Sequence, residues 1–338
     1  MLFSTTILNW FHENGRALPW RETNDPYAIW LSEVILQQTR IDQGRPYWER
    51  FIHRWPSVNH LAAATEDEVL REWQGLGYYS RARHLHQAAK QIVELGGFPT
   101  TIAGLRTLKG VGDYTAAAIG SIAYGLPVAV VDGNVYRVLA RYFGISTPIN
   151  STEGKKEFAA LAQDLLPTGM ANNDTLSSLY NQAMMDFGAI QCTPSNPLCI
   201  QCPLAESCTA LRLGKVGELP VKQKTLKIKE RRLSYIYIRY KGETAIRRRP
   251  RGDIWQGLYE PWLTETVPAD AKLIRQGIKH VLTHRVLYAD FWLWEPEVRP
   301  LLPDGLFWIR EEDINQYAVP RLVEILLEVL PFNLLNPE

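Results

Sequence analysis

The sequence lacks the features of a membrane or exported protein. Its 338 residues contain no apolar run of about eighteen residues, the minimum for a membrane-spanning helix. The N-terminus, Met1–Ser4, has no basic leader before an apolar core, so we expect no secretory signal. Hydrophobic residues make up 46% and charged residues 22%, and no segment is of low complexity. These ordinary values argue against disorder and predict a globular chain.

Cysteine is scarce, and its spacing is informative. All four cysteines fall in one segment, Cys192-x6-Cys199-x2-Cys202-x5-Cys208. A cytosolic chain does not usually carry a disulfide framework, so a metal site is the better interpretation. Zinc ribbons usually bring two separated Cys-x-x-Cys knuckles, whereas this segment has one. The compact spacing favours an iron–sulfur cluster, which needs a ligand at each of four corners, and leaves zinc open.

Net charge is also small, at +1, but the total hides a basic stretch. Residues 221–251 carry twelve Lys or Arg against two acids, Glu230 and Glu243, a formal local charge of +10. Such a stretch is either a solvated linker or a surface for a polyanion, whose phosphates it would neutralise.

The length favours two domains, although one large domain is not excluded. Residues up to about 190 show helical spacing of apolar side chains, over 27–36, 61–73, 82–95 and 157–166. Thr65 to Glu68 forms a capping box that predicts a helix start. Residues 214–229 are polar and Lys-rich, as in a linker.

The C-terminal part has a different character. Alternating β-formers predict strands over 233–240 and 288–294, and residues 269–280 and 319–330 are interpreted as helices. The sequence therefore predicts an α+β domain of about one hundred residues there.

A glycine-rich turn lies between two helical stretches. Gly110-Val111-Gly112 permits a tight turn with outward amides, and a helix from about Asp113 to Tyr124 begins there. Free amides at the positive end of a helix bind phosphate, although an ordinary helix–turn–helix corner is the alternative.

Two carboxylates stand out. Glu33 lies on a helical face with Ile29, Trp30 and Leu36, where desolvation would raise its pKa; the alternative is a Glu paired with an Arg. Asp132 ends an apolar run before a helix, which is also where an N-cap lies. One protonated and one ionised carboxyl is the arrangement that cleaves glycosidic bonds.

These motifs occur together in one family: Glu33 with Gln37-Gln38-Thr39, Gly75–Arg81, Leu108–Tyr114, Val131–Asn134 and the cysteine segment. The chain resembles the helix–hairpin–helix iron–sulfur DNA glycosylases, and among them the adenine DNA glycosylase (MutY) family, which removes adenine mispaired with 8-oxoguanine. The motifs that carry the resemblance are closely spaced from about residue 4 to 222, and the resemblance is weaker beyond. It implies two domains: an all-α helix–hairpin–helix glycosylase domain with a 4Fe–4S loop over 1–213, a linker over 214–228, and an α+β Nudix-like lesion-recognition domain over 229–338.

The resemblance also implies roles for single residues. Glu33 matches the acid that protonates adenine at N7, and Asp132 matches the carboxylate that stabilises the sugar cation. The residues expected to support that carboxylate are Tyr114 and Asn134. The expected ligands of the 4Fe–4S cluster are Cys192, Cys199, Cys202 and Cys208.

Further positions match residues that bind DNA. The wall of the adenine pocket corresponds to Arg16, Leu18, Trp20 and Arg21, and Gln182 matches a residue that reads the adenine edge. The residues expected to enter the base stack around the flipped nucleotide are Gln38 and Tyr78. The expected phosphate-binding amides are those of Gly110, Val111 and Gly112.

In the C-terminal part, Trp255–Trp262 resembles a stretch of Nudix-like domains. No glutamate-rich Nudix helix is present to hold Mg²⁺, so we expect binding without hydrolysis. Leu282-Thr283-His284 lies where many relatives have Phe-Ser-His, which detects 8-oxoguanine. Thr283 and His284 keep a hydroxyl and an imidazole, although His284 would also suit an ordinary surface.

Three alternatives differ in chemistry. A pyrimidine glycosylase/lyase of the endonuclease III type needs a lysine nucleophile where this chain has Tyr114, and Lys109 lies inside the turn. A mismatch-thymine glycosylase would not be expected to carry the Nudix-like domain. A non-catalytic cluster module is disfavoured by Glu33 and Asp132. We expect a monofunctional enzyme acting on duplex DNA with A:8-oxoguanine or A:G mispairs. We also expect a bacterial, cytoplasmic, nucleoid-associated monomer without membrane contact.

Overall fold

The computed structural model describes residues 2–171, 174–223 and 228–331. Its α-helices, in chain order, are α1 (Leu2–Asn14), α2 (Pro26–Ile35), α3 (Ile41–Arg54), α4 (Val58–Ala63), α5 (Glu66–Trp73), α6 (Ser80–Glu94), α7 (Ile102–Leu105), α8 (Asp113–Tyr124), α9 (Gly133–Phe143), α10 (Thr152–Asp164), α11 (Leu176–Asp186), α12 (Thr209–Arg212) and α13 (Arg321–Val329). A π-helical turn, Phe187–Gln191, follows α11 directly.

The strands are concentrated in the C-terminal part. They are β1 (Met170–Ala171), β2 (Asp174–Thr175), β3 (Lys229–Tyr240), β4 (Glu243–Arg248), β5 (Tyr259–Glu260), β6 (Trp262–Leu263), β7 (Lys272–Leu282), β8 (Arg285–Trp294) and β9 (Leu306–Arg310). Strands β1 and β2 form a small antiparallel pair. The main sheet has the order β5-β4-β3-β8-β7, with β6 on β3 and β9 on β4. The helical N-terminal and sheet-containing C-terminal parts confirm the predicted fold class.

The chain divides into two compact units that are not contiguous in sequence. The first unit comprises Met1–Arg40 with Ala88–Lys224, and the second comprises Ile41–Gln87 with Thr225–Glu338. The predicted limits 1–213, 214–228 and 229–338 differ from this division and stay predictions; residues 224–227 and 332–338 lie outside the described part.

The grouping of 41–87 with the C-terminal part has a physical cause. Arg248 of β4 forms ion pairs of 2.9 Å with both Glu66 and Asp67 at the start of α5. The hydroxyl of Tyr259 donates to Asp67 at 2.9 Å. These charged contacts tie α5 to the sheet.

In the first unit, α9, α10 and α11 surround a buried core that includes Phe158 and Phe187. Cys192, Cys202 and Cys208 pack against this core. The cysteine segment is therefore supported by the same apolar cluster that holds α9 in place.

In the second unit, β3 and β8 run parallel, and Lys229 of β3 is in register with Arg285 of β8. One face of the sheet packs on α13 through side chains such as Tyr235 and Leu326. The other face carries a smaller cluster centred on Ile236 and Ile238. Successive side chains of β3 therefore enter two different hydrophobic clusters, one on each face of the sheet.

Several sequence predictions are confirmed. Thr65 and Glu68 form both bonds of the capping box at α5. The strands predicted over 233–240 and 288–294 are parts of β3 and β8, and the helix over 319–330 is α13.

The helix predicted over 269–280 is wrong, because this segment contains β7. Among the described residues, strand β7 pairs with β8 alone, at the edge of the sheet, and its register shifts twice between Leu273 and Ile278. A bulge moves successive side chains off the period of two, so the alternation that marks a strand is lost from the sequence.

None of the helices in the described part of the chain combines the length and the apolar composition that a bilayer-spanning helix requires.

Candidate active site and cysteine loop

Glu33 lies in the last turns of α2, a helix whose side chains are almost all buried. Asp25 caps its first turn by accepting from the Tyr27 N–H, and Pro26 occupies the first helical position. Glu33 itself is only 9% exposed. The hydroxyl of Tyr114, from α8, donates to Glu33 Oε2 at 2.5 Å. Helix α8 thus supplies the polar partner that a buried carboxyl needs.

This environment makes Glu33 a weak acid. Burial, the largest cause, and the nearby charge of Asp132 raise its pKa to about 7, while the Tyr114 hydrogen bond and the charge of Arg21 act in the opposite direction. The predicted desolvation of Glu33 is confirmed. Among the described residues no arginine forms an ion pair with it, which disfavours the alternative of a structural pair.

Asp132 is the N-cap of α9, and its two carboxylate oxygens have different partners. Oδ1 accepts from the Val135 N–H at 2.8 Å. Oδ2 accepts from Asn134 Nδ2 at 2.7 Å. Burial raises the pKa of Asp132, and the hydrogen bonds from Val135 and Asn134 oppose that rise. The cap and the support expected from Asn134 are therefore both present, because they use different oxygens.

Tyr114 differs from expectation. It was expected to support Asp132, but its hydroxyl donates to Glu33 and contacts Met185 Sδ at 3.8 Å. Burial and the charges of Glu33 and Asp132 raise the pKa of Tyr114, so its hydroxyl remains a donor.

Arg137 fixes the orientation of Asn134, and the sequence analysis missed it. Its Nη2 donates to Asn134 Oδ1 at 2.8 Å and to the Gly188 carbonyl at 2.6 Å, and its Nε donates to the Cys192 carbonyl at 2.7 Å. With its oxygen so occupied, the Asn134 amide can only turn its NH₂ toward Asp132. The sequence signal is an arginine three residues after Asn134 on the same helix face.

Asp186, at the end of α11, was also missed. It is completely buried and accepts from Arg16 Nε at 3.1 Å and from Arg21 Nη1 and Nη2 at 2.8 Å each. Burial raises the pKa of Asp186, but hydrogen bonds from Arg21 and Arg16 outweigh it and lower the pKa to about 2. Asp186 therefore holds two of the predicted pocket residues in fixed positions.

The other predicted pocket residues lie in the same unit. Leu18 and Trp20 are buried, and Gln182 is 9% exposed, with Nε2 at 3.3 Å from Ser178 Oγ. Arg21 is near enough to Glu33 for its charge to affect that pKa. This places the Arg16–Arg21 segment beside the buried carboxyl.

Of the three N–H groups of the glycine-rich turn that are predicted to bind phosphate, the structure already engages one. Gly110 has a φ of +77°, which only glycine adopts easily, and Gly112 precedes α8 without a side-chain cap. The Val111 N–H differs from prediction because it donates to the Leu108 carbonyl at 3.1 Å. For the Gly110 and Gly112 N–H groups, the described residues offer no backbone or side-chain acceptor. These two amides remain suited to phosphate.

The four cysteines are unpaired and half-buried. Arg141 Nη1 lies 3.4 Å from Cys192 Sγ, and Cys208 Sγ lies 3.6 Å from the Arg141 carbonyl. Burial raises the pKa of Cys202 to about 11; a hydrogen bond from the Leu204 N–H opposes the rise, and the charges of the other three cysteines add to it. The four sulfurs are thus near enough to influence one another, which fits a common cluster.

In the second unit, Tyr78 and the lesion-loop residues lie together. Tyr78 is 49% exposed and has a φ of +47°, uncommon for a residue with a side chain. Its hydroxyl is 2.6 Å from Thr283 Oγ1, at the turn between β7 and β8. Tyr78, Thr283 and His284 line one cavity of about 700 Å³. Gln38, in the first unit, also has a positive φ, +57°.

Comparisons with known proteins agree with this geometry. The HhH-GPD superfamily of base excision DNA repair proteins matches residues 31–167, the NUDIX domain matches 234–329, and the iron–sulfur binding domain of endonuclease III matches 192–208. The chain therefore has a 4Fe–4S site in the segment that holds all its cysteines.

Solved structures share the helical fold. A thermostable thymine-DNA glycosylase is 31% identical with a TM-score of 0.57, covering 63% of this chain and 96% of that one. Endonuclease III in a non-covalent DNA complex superposes with a TM-score of 0.53 at 20% identity, covering 63% of this chain and 95% of that one. The second likeness shows the fold alone.

Curated relatives define the family. The adenine DNA glycosylase of Buchnera aphidicola subsp. Baizongia pistaciae (strain Bp) is 33% identical over 310 residues, 87% of this chain and 86% of the relative. That of Buchnera aphidicola subsp. Schizaphis graminum (strain Sg) is 35% identical over 261 residues, 76% of this chain and 74% of the relative. The mouse adenine DNA glycosylase is 42% identical over 228 residues, 64% of this chain and 43% of the relative. With its helix–hairpin–helix, iron–sulfur and Nudix-like segments in the same chain, the protein belongs to the adenine DNA glycosylase family, whose members bind duplex DNA and hydrolyse N-glycosidic bonds.

Proposed function

We propose that this chain excises adenine mispaired with 8-oxoguanine or guanine, acting as a monomer in base excision repair. The observation that carries the proposal is the buried Glu33, whose pKa of about 7 lies near neutral pH, beside the capped carboxylate of Asp132. A general acid works best when its pKa is close to the working pH.

The first step is positioning. A base inside a duplex cannot reach Glu33, so the adenine nucleotide is flipped out, and the Gly110 and Gly112 amides at the start of α8 bind the phosphate backbone. The ion pairs of Asp186 with Arg16 and Arg21 hold the pocket wall, with Trp20 and Leu18 supplying apolar surface. Gln182 is the residue proposed to pair with the adenine edge.

Bond cleavage follows. Glu33 protonates adenine N7, which makes adenine a neutral leaving group. Asp132, held by Asn134 and the Val135 N–H, stabilises the positive charge that develops on the sugar. Water then adds to the sugar cation and gives its extra proton to the carboxylate left on Glu33, which restores the acid and leaves an abasic site with both strands intact. The 4Fe–4S cluster, when bound, cross-links the cysteine loop and takes no part in these proton transfers.

The substrate proposal also rests on the second unit. Thr283 and His284 are exposed at the tip of the β7–β8 hairpin, next to the hydroxyl of Tyr78. 8-Oxoguanine differs from guanine by a protonated N7 and a new carbonyl, so a reader needs a few polar groups of this kind.

A second candidate is a mismatch-thymine glycosylase, favoured by the likeness to the thymine-DNA glycosylase structure. The match covers 96% of that chain but only 63% of this one, so this alternative leaves more than a third of the present chain without a role. A lyase of the endonuclease III type needs an amine nucleophile on the helix after the glycine turn, and the matching position here holds Tyr114, whose hydroxyl donates to Glu33.

One oligonucleotide panel tests the proposal. Adenine, thymine and oxidised pyrimidines are each placed opposite guanine and opposite 8-oxoguanine. Base release is measured, and strand breaks are measured before and after alkali treatment. We expect adenine release only, fastest opposite 8-oxoguanine, with strand breaks appearing only after alkali. Glu33→Gln is the control for a contaminating glycosylase. Thymine release, or strand cleavage without alkali, would contradict the proposal.

A further inference from the structure

The fold divides the basic stretch over 221–251 into two groups. Five of its twelve cations form ion pairs with carboxylates: Arg231, Arg239, Arg247, Arg248 and Arg249. Two others, Lys224 and Lys227, lie outside the described residues. Much of the stretch is therefore neither a linker nor a free basic surface, because five of its seven arginines form ion pairs within the fold. One of these ion-pair networks, however, contains more arginines than carboxylates.

That excess is centred on Asp253. Its carboxylate accepts from three guanidiniums: Arg231 Nη1 at 2.7 Å, Arg249 Nη2 at 2.7 Å and Arg285 Nη1 at 3.2 Å. Arg249 also pairs with the buried Glu260, and this second carboxylate is 2.9 Å from Arg247. Four guanidiniums thus share two carboxylates, which leaves a formal charge of +2.

The excess lies on the solvent side of the network. The side chain of Arg249 is 1% exposed, whereas those of Arg231 and Arg285 are each 36% exposed. Both of the exposed arginines donate to the same atom, Asp253 Oδ1, at 2.8 and 3.2 Å, so their Nη1 atoms are no more than 6.0 Å apart. Asp253 therefore holds two half-exposed guanidiniums side by side.

This pair adjoins the lesion loop. Arg285 follows Thr283 and His284 directly, and both Arg285 and Asp253 line the same cavity as those residues. Lys229 is in register with Arg285, and its N–H donates to the His284 carbonyl at 3.1 Å. Paired residues on adjacent strands point to the same face. No carboxylate of the described residues forms an ion pair with Lys229, so a third cation is added there.

We propose that Arg231 and Arg285, clamped together by Asp253, bind a phosphate of the DNA strand next to the base read by Thr283 and His284. A phosphodiester offers two free oxygens, which match two adjacent guanidiniums, and one negative charge, which offsets half of the surplus charge. The contact positions the strand and carries no base information. This inference rests on the proposed function and adds a backbone contact to it.

The salt dependence of binding is the first test. The probe is an A:8-oxoguanine duplex whose adenosine carries a 2′-fluorine, which destabilises the sugar cation and blocks excision. For Arg231→Gln/Arg285→Gln, the slope of log Kd against log salt is expected to be shallower by about 0.9, the value for one phosphate contact. Arg285→Lys keeps the charge and should keep the slope. The matched control is Arg310→Gln, since Arg310 is exposed, pairs with Glu312 and does not line the cavity.

A neutral-phosphate scan locates the contact. Single methylphosphonate linkages are placed along the strand that carries 8-oxoguanine. At one position, the methylphosphonate should weaken DNA binding by the wild type roughly three- to tenfold. At the same position it should not change DNA binding by the double variant, because that variant has already lost the contact. If thermal unfolding shows the double variant to be misfolded, Arg285→Gln alone is used, because its single ion pair is half-exposed.

An unchanged salt slope in the folded variant, or a scan without a variant-dependent position, would overturn the phosphate clamp. Adenine release by the wild type is measured in parallel. An inactive wild type would contradict the proposed function, whereas an active wild type with unchanged slopes contradicts only the clamp.

Discussion

The two carboxylates of the first unit and the lesion loop of the second unit are held in opposite ways. Glu33 and Asp132 are largely desolvated; Glu33 is fixed by a hydrogen bond from α8, and Asp132 by two hydrogen bonds from the first turn of α9. Thr283 and His284 are exposed at the tip of a hairpin. Burial shifts a pKa and fixes a proton, as bond cleavage requires, whereas exposed polar groups can meet a DNA base. The following predictions test whether bond cleavage depends on the buried carboxylates and lesion recognition on the exposed loop.

The largest effect is expected from Asp132→Asn. The amide keeps the shape of the side chain but removes the charge that stabilises the sugar cation, so excision should fall on the order of 10³-fold or more. Duplex binding should change little, because the backbone contacts remain. Single-turnover excision and equilibrium binding are the measurements, with the exposed Asp164→Asn as control. Near-normal excision by the variant would mean that Asp132 acts only as the N-cap of α9.

The pH profile of excision is the second test. If protonated Glu33 is the active form, the single-turnover rate should fall about tenfold for each pH unit above its pKa of about 7. Glu33→Gln should be slow at every pH, since an amide delivers no proton. The double variant Thr283→Ala/His284→Ala should keep the wild-type profile. A rate that stays constant up to about pH 9 would remove the general-acid role.

The lesion loop should affect preference more than chemistry. Thr283→Ala/His284→Ala is expected to lower the preference for A:8-oxoguanine over A:G by roughly ten- to hundredfold, the value of about one base-edge hydrogen bond. Single-turnover rates at saturating enzyme should change less. Binding and excision are measured on both duplexes, with the exposed Thr266→Ala as control. An unchanged ratio would place lesion reading outside this hairpin.

The smallest effect concerns stability. Because the folded pKa of Glu33 is raised from 4.5 to about 7, the folded state binds a proton more tightly than the unfolded state between these values. The free energy of unfolding therefore falls as pH rises from 4.5 to about 7. Above that range Glu33 is ionised in both states, and its destabilising effect no longer changes with pH. Glu33→Gln removes the ionisation, so it should be more stable than wild type at about pH 8 by on the order of 1–3 kcal/mol. Urea unfolding at about pH 8 and about pH 4.5 measures this, and the gain should vanish at the lower pH.

Local signals in the sequence were sufficient for some elements and not for others. The capping box at Thr65 and the alternation along β3 depend on neighbouring residues only, so the pattern predicted them correctly. The bulged edge strand β7 lost its alternation to register shifts and was interpreted as a helix. Edge strands have one partner and one exposed side, which weakens the hydrophobic pattern on which such predictions depend.

The sequence by itself determined the class of site: a carboxyl on an apolar helix face, an Asp before a helix, and four closely spaced cysteines. Each is a property of residues that are near one another along the chain. Only the tertiary structure decided that Tyr114 donates to Glu33 and that Arg137 links Asn134 to the cysteine loop. It also decided that Asp253 gathers arginines from β3, β8 and the loop after β4. Most of these contacts join residues more than twenty positions apart, and which distant side chains meet is fixed by packing, which local pattern does not encode.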